Sequence, residues 1–227
     1  MSLVAAALTS EVTSCSDGGA ELIDPTVSKW SNLDHWEEYA KVRTGKENAV
    51  AYDAFILYMN DITALLRSIG YESVRMWNDD VYRISDTDWQ CAAEIDKSID
   101  IQYWSPHTNN GEGTAQFYID KGHNVYNFAR LYTYYTLYPD KAPSYVTPEA
   151  IMKEWNPYIF APKNSECTTD NTYIFPPFMP GNIISAPNEK VKGAGFCLWT
   201  DCPSAETEDE ILENMRPYFT AIAKKSI

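Results

Sequence analysis

Residues 1–44 carry no sustained hydrophobic period, but from Asn48 the apolar positions Phe55, Tyr58, Met59, Ile62, Leu65, Leu66 and Ile69 recur every three or four residues. That is the period of a helix, and Gly70 supplies its stop. Ser73-Val74-Arg75-Met76-Trp77 follows as a short strand that breaks at the polar cluster Asn78-Asp79-Asp80. Ile99 to Trp104 alternates as a second strand and stops at Ser105-Pro106. Ala115 to Lys121 predicts a helix closing at Gly122, Asn124 to Ala129 a third strand, and Leu131 to Tyr138 a further aromatic segment. Gly193 to Trp199 reads as a fourth strand, its small residues suited to close packing. The last helix opens on Thr207-Glu208-Asp209-Glu210, a capping box with its acids at the positive end of the dipole. Its expected apolar face is Ile211, Leu212, Met215, Phe219 and Ile222, and it ends in Lys224-Lys225.

Strand ends at Trp77, Trp104 and Ala129 are spaced close to the ~30 residues of a βαβ unit, so the pattern predicts an α/β fold with parallel, neighbouring strands. The expected organisation is an N-terminal segment, 1–44, to which the pattern assigns no role, and an α/β domain over 45–227. The domain carries an insertion at 139–192 that includes a helix begun by Thr147-Pro148-Glu149 and a run with Pro157, Pro162, Pro176, Pro177, Pro180 and Pro187. An insertion of that length and proline content predicts a structured rim or lid.

Composition narrows the partners. The 227 residues hold 18 Lys and Arg against 32 Asp and Glu, a net charge of −14, with 44% hydrophobic content. That is apolar enough for a sizeable core, and a chain of this length is compatible with a barrel or a doubly wound sheet. Phosphate contacts need clustered cations, so nucleic acid and anionic membrane are excluded as main partners. No window of ~18 apolar residues is present to span a bilayer. The apolar start Val4 to Leu8 is too short for a signal peptide and has no basic residues before it, and Met1-Ser2-Leu3 is expected to be an expression scar. Cys15, Cys91, Cys167, Cys197 and Cys202 form no C-x-x-C pair, and His35, His107 and His123 show no metal-ligand spacing. No metal and no cofactor is expected.

Ligands of parallel α/β folds lie at the carboxyl ends of the strands. Those ends carry Trp77-Asn78-Asp79-Asp80, Tyr103-Trp104-Ser105, the aromatics Tyr132, Tyr134 and Tyr135, and Trp199-Thr200-Asp201. Indole faces stack on the C–H faces of sugars, and carboxylates accept from hydroxyls. The plain structural alternative is that each Trp covers the core and each Asp caps the next helix.

The order M-W-N-D-D at 76–80, I-Q-Y-W at 101–104, V-Y-N-F-A-R-L-Y-T-Y-Y at 125–135 and G-A-G-F-C-L-W-T-D at 193–201 resembles the C-terminal half of glycoside hydrolase family 20, the β-N-acetylhexosaminidases and lacto-N-biosidases. The resemblance runs from about Ala49 to Lys225. It implies a partial (β/α)8 TIM barrel, roughly strands five to eight with their helices. It also implies that Trp77 and Trp104 wall the subsite of a terminal N-acetylhexosamine, that Trp199 is its floor, and that Asp79 is the carboxylate after the fifth strand. Asp201 would bind sugar hydroxyls, and Tyr132 or Tyr134 the acetamide. The family mechanism is substrate-assisted: the 2-acetamido oxygen attacks the anomeric carbon, an Asp orients the amide, and the adjacent Glu protonates the leaving oxygen, an exception to the two-carboxylate scheme.

The chain departs from the family where that Asp-Glu pair should follow the fourth strand, since no Asp-Glu dipeptide precedes the helix at 48–69. Asp17-Gly18-Gly19-Ala20-Glu21 is the nearest acidic cluster, and Glu37-Glu38 reads as a solvated helix face. The general acid is therefore expected to be absent, and with it ~10²–10⁴ of the rate. Two readings follow: a hexosaminidase-type hydrolase of which this is the C-terminal half, inactive alone, or a non-catalytic carbohydrate-binding or structural half-barrel. Either way the expected partner is an N-acetylhexosamine-containing glycan. A half-barrel exposes its strand edges, which residues 1–44, a homodimer partner or a missing N-terminal half of the barrel would cover.

Overall fold

The computed structural model describes residues 2–4, 34–78, 81–82, 92–104, 113–137, 146–161 and 180–226. The chain forms two compact units, Met1–Ile101 with His107–Gly113, and Gln102–Pro106 with Thr114–Ile227. Strands and helices alternate around a parallel sheet, as the spacing predicts.

In the first unit β1 (Ser2–Val4) runs parallel to β2 (Ser73–Trp77), with Leu3 opposite Val74, and β2 neighbours the start of β3 (Ile99–Tyr103). Between β1 and β2 lie α1 (Asp34–Thr44) and α2 (Ala51–Ser68). Alternation in β2 buries Val74 and Met76 and leaves Ser73, Arg75 and Trp77 half-buried. The Asp100 carboxylate in β3 is buried too and accepts from Ser73 Oγ at 3.2 Å, so the polar side of this alternation is not a solvent face.

Helix α2 begins on a carboxylate. Asp53 is fully buried and accepts from the backbone N–H of Val50 and of Ala93, both at 2.8 Å, which satisfies one orphan donor of the helix start and pins the strand-bound loop against it. It ends at Gly70 as expected. Gly70 has φ +100, and the bonds Gly70 N to Arg67 O and Tyr71 N to Leu66 O close the last turn. The buried face, however, is Tyr52, Ile56, Met59 and Thr63, while Tyr58, Leu65 and Ile69 are exposed. The predicted stripe is thus rotated, because the contact with α1 runs through small residues, Ala40, Ala49, Ala54 and Ala92, which a hydrophobicity count underweights.

The second unit takes up the end of β3 and adds α3 (Ala115–Asp120), β4 (Val125–Asn127), the helical turn α4 (Arg130–Thr133), β5 (Tyr134–Thr136), α5 (Pro148–Glu154), β6 (Val191–Ala194), β7 (Cys197–Trp199) and α6 (Glu208–Lys225). The expected fourth strand, 193–199, is two strands. β6 lies parallel to β4 in the order β3-β4-β6, and β7 lies parallel to β5 in a separate pair. Glycine permits the break: Gly193 has φ +130, and a Cβ on Gly195 would lie 2.1 Å from the Phe128 ring, so the chain passes under that ring as it changes sheets. The capping box of α6 is formed, Thr207 N donating to Glu210 Oε2 at 2.8 Å and Glu210 N to Thr207 Oγ1 at 3.3 Å. Its buried positions are Ala221 and Ile222, with Tyr218 packed beside them, whereas Leu212 and Phe219 of the expected face are exposed. As in α2, a small residue lets the neighbouring helix approach and turns the face.

The core of this unit is Leu131, Tyr132, Ile151, Trp155, Ile159 and Ile222. Asn127, fully buried at the end of β4, is tied into it three times. Its Nδ2 donates to the carbonyls of Pro157 (3.1 Å) and Ile159 (2.8 Å), and its Oδ1 accepts from Ala129 N at 2.9 Å. The Asp79 region, the acidic cluster at 17–21 and most of the proline-rich run fall outside the described residues, and no described helix is long and apolar enough to cross a membrane.

Two outcomes test this packing. Asn127→Ala takes the partner from the buried Ile159 carbonyl, the half-buried Pro157 carbonyl and the Ala129 N–H, so it is expected to destabilise the chain by about 3 kcal/mol in urea unfolding; a loss under ~1 kcal/mol would show that the contacts are incidental. Burial pushes the Cys197 thiol at the start of β7 up to about 12, so at neutral or mildly alkaline pH it stays protonated in the folded chain. Maleimide labelling mapped by mass spectrometry should be slow at the half-buried, protonated Cys197 thiol of the folded chain and fast after denaturation; native labelling as fast as denatured labelling would place the thiol in solvent.

Candidate functional site

Three strands of the second unit deliver aromatic rings to one place. The end of β3 is held to the segment after β4 by Phe128 N donating to Tyr103 O and Arg130 N to Trp104 O, both at 2.9 Å, which sets Trp104 beside the α4 turn. The turn closes by Tyr132 N and Thr133 N donating to Ala129 O at 2.9 and 3.0 Å, and the chain then straightens into β5. In β5 and β7 the register pairs Tyr134 with Cys197 and Thr136 with Trp199, so Tyr134 and Trp199 are diagonal neighbours on one face. The Tyr134 ring stacks on Trp104 with centroids 6.3 Å apart and planes at 11°, and lies 5.4 Å from Trp199 at 43°. Both indoles are half-buried and Tyr134 is buried.

The two tyrosines that the sequence leaves open as acetamide ligands therefore occupy different environments. Tyr132, on the helical turn, is buried in the core against Trp155, with ring centroids 6.4 Å apart. Tyr134, two residues later on a strand, lies between the tryptophans. Asp201 is exposed in the turn that follows β7, two residues beyond Trp199. Trp77 ends β2 in the first unit, half-buried, and Asp79 lies outside the described residues. Glu37 and Glu38 are on α1, where Glu37 pairs with Lys41 and Glu38 is exposed, as a solvated helix face requires.

The loop bearing Asp201 is anchored at both ends. Leu137 N donates to Trp199 O at 2.9 Å and Cys202 N to Leu137 O at 3.1 Å, so its first turn is fastened to the end of β5. At its far end Glu206 accepts from Tyr135 Oη, 3.1 Å from both carboxylate oxygens, and from Asn214 Nδ2 at 3.2 Å. Burial, reinforced by the hydrogen bond to the Glu206 carboxylate, drives the Tyr135 hydroxyl well above the ordinary phenol range, so it stays a donor at any physiological pH. Sequence reasoning missed Glu206 because its role depends on a partner 71 residues away; next to a capping box it reads as one more acid at a helix start.

An apolar wall of two indoles and a phenol, with a carboxylate in the adjoining turn, can take a ring that has C–H faces and hydroxyls. Among the described residues no cluster of His, Cys, Asp and Glu could hold a metal ion.

No family model and no curated protein matches the chain. Solved structures do. Dispersin B matches with TM-score 0.56 and 18% identity over 99% of this chain and 71% of its own. The GH20 catalytic modules of the pneumococcal exo-β-D-N-acetylglucosaminidase StrH match with TM-score 0.53 and 22% identity over 83% of this chain, and a second StrH structure with TM-score 0.52 and 22% identity. The chain spans 38% and 39% of the lengths of those two StrH chains. At these identities the likeness concerns architecture, and on that ground the chain has the parallel α/β fold of the GH20 catalytic modules.

Proposed function

We propose that the chain is a GH20-type glycoside hydrolase domain that binds a terminal β-linked N-acetylhexosamine (or lacto-N-biose) and belongs to the C-terminal part of a barrel completed by an N-terminal half or a second copy. The observation that carries this reading is the stack of Trp104 just after β3, Tyr134 at the start of β5 and Trp199 at the end of β7. In it Trp104 and Trp199 flank the sugar, Tyr134 rather than Tyr132 meets the acetamide, and Asp201 accepts from a hydroxyl, while Trp77 keeps only the role that the resemblance implies for it. Asp79 keeps the role that the resemblance implies for it.

No Asp-Glu pair precedes the helix at 48–69, so in this reading the general acid comes from the part that completes the barrel, and the chain alone binds the sugar without turning it over. The alternative reading is a non-catalytic carbohydrate-binding half-barrel.

Hydrolysis of an aryl β-N-acetylglucosaminide tests the placement of the acid. The chain alone is expected to release little or no product, since a missing general acid removes ~10²–10⁴ of the rate; robust turnover abolished by Glu21→Gln would put the acid within this chain. Independently, N-acetylglucosamine titrated against indole N–H resonances should shift Trp104 and Trp199 with a millimolar dissociation constant, on the order of −4 kcal/mol. Tyr134→Phe should weaken that binding, and Tyr132→Phe should not; the reverse result would exchange their roles.

A further inference from the structure

The first unit carries a second aromatic surface. Helices α1 and α2 meet through alanines, Ala40 on one and Ala54 on the other, both fully buried. That close seam leaves the larger residues beside it on display: Trp36 is 51% exposed, Tyr39 41% and Tyr58 46%. With His35 and Ala54 they line a depression of about 290 Å³. Trp36 and Tyr39 sit one turn apart on α1, offset by ~4.5 Å along its axis. One end is made rigid by Arg43, which binds both carboxylate oxygens of Asp61 on α2 at 3.0 Å and stands 5.4 Å from the centre of the Tyr39 ring.

We propose that this cleft, lined by Trp36, Tyr39 and Tyr58, is a second carbohydrate-binding site, one that takes an internal stretch of a neutral glycan rather than its reducing or non-reducing end. The lining chooses the ligand. A docking helix is gripped by aliphatic side chains that interdigitate, whereas this lining offers rings and an imidazole, with Ala54 its one aliphatic member. Rings with polar groups at their margin suit pyranose units, which present C–H faces and hydroxyls together. Two rings on successive positions of one helix face match a ligand that repeats along its length, and an open cleft admits a chain that continues past it. With a net charge of −14, the protein favours a neutral or cationic glycan over a sulfated or uronic one. Helix α1 buries only Ala40, so its aromatics are not needed to hold it in place and can be spent on a ligand.

The choice of N-acetylglucosamine oligomers as probe rests on the function proposed above; the stacking argument does not. The test is a titration of the full chain with the tetramer, followed at the Trp36 indole N–H. Trp36 is expected to shift with a millimolar dissociation constant, and Tyr58→Ser to weaken binding at Trp36 about fivefold or more. Trp199→Ala should leave the Trp36 shift unchanged. A Trp36 signal that does not move at tens of millimolar tetramer, or that moves equally in Tyr58→Ser, overturns the proposal. Broadening of Trp36 with protein concentration in the absence of sugar overturns it as well, by making the cleft a contact between copies. If Trp36 responds while Trp104 and Trp199 do not, this site stands and the proposed subsite falls, so the two failures are distinguishable.

Discussion

The primary amide of Asn127 is the constraint on which the second unit depends. A fully buried amide has two donor hydrogens and a carbonyl to satisfy, and here the donors go to two carbonyls of the segment 157–159 while the carbonyl takes the N–H of Ala129. Leaving such groups unpaired in the interior costs ~1–3 kcal/mol each. A backbone arrangement that breaks one bond therefore strands the others, and the end of β4, the turn after it and the segment behind α5 are set together.

The aromatic stack is a consequence of that setting. Ala129, held by Asn127, is the residue whose carbonyl closes the α4 turn, and that single turn sends Tyr132 inward to Trp155 before the chain extends into β5. A strand has a period of two and a helix of 3.6, so the change of conformation between positions 133 and 134 separates two tyrosines that a uniform strand would place on the same face. The same logic acts on the other side of the stack. Gly195, with no side chain to meet Phe128, lets the chain leave the β4 neighbourhood and pair with β5 instead, which brings Trp199 beside Tyr134. Glu206, shared by Tyr135 and Asn214, then fastens the loop after β7 at its far end.

The first unit is organised by a different buried group on the same principle. Asp53 spends both carboxylate oxygens on backbone N–H donors, Val50 and Ala93, and so acts as a structural acid despite lying in a chain where acids outnumber bases. Burial of a carboxylate is tolerated when its acceptors are filled. Asp53, Asp100 and Glu206 are engaged within the fold, as are Glu37, Asp61 and Glu210, while Asp201 is exposed to solvent in the turn after Trp199.

The local signals in the amino-acid sequence sufficed for the elements themselves: the α2 stop at Gly70, the α3 stop at Gly122, the Thr147-Pro148 and Thr207–Glu210 helix starts, and the strands at 73–77 and 99–103 all follow from side chains within a few residues of the feature they control. Strand order and the parallel α/β architecture were legible for a similar reason, since helix-length spacers permit little else. Only the tertiary structure decided which stripe of α2 and of α6 faces inward, because the choice was made by alanines whose value lies in how close they let another helix come. Only it divided the segment 193–199 between two sheets, separated Tyr132 from Tyr134, and gave Glu206 a task. Each of those outcomes rests on a partner distant in sequence, such as Phe128 for Gly195, Trp155 for Tyr132 and Tyr135 for Glu206, and a pattern read along one chain segment contains no information about which distant side chain will arrive against it.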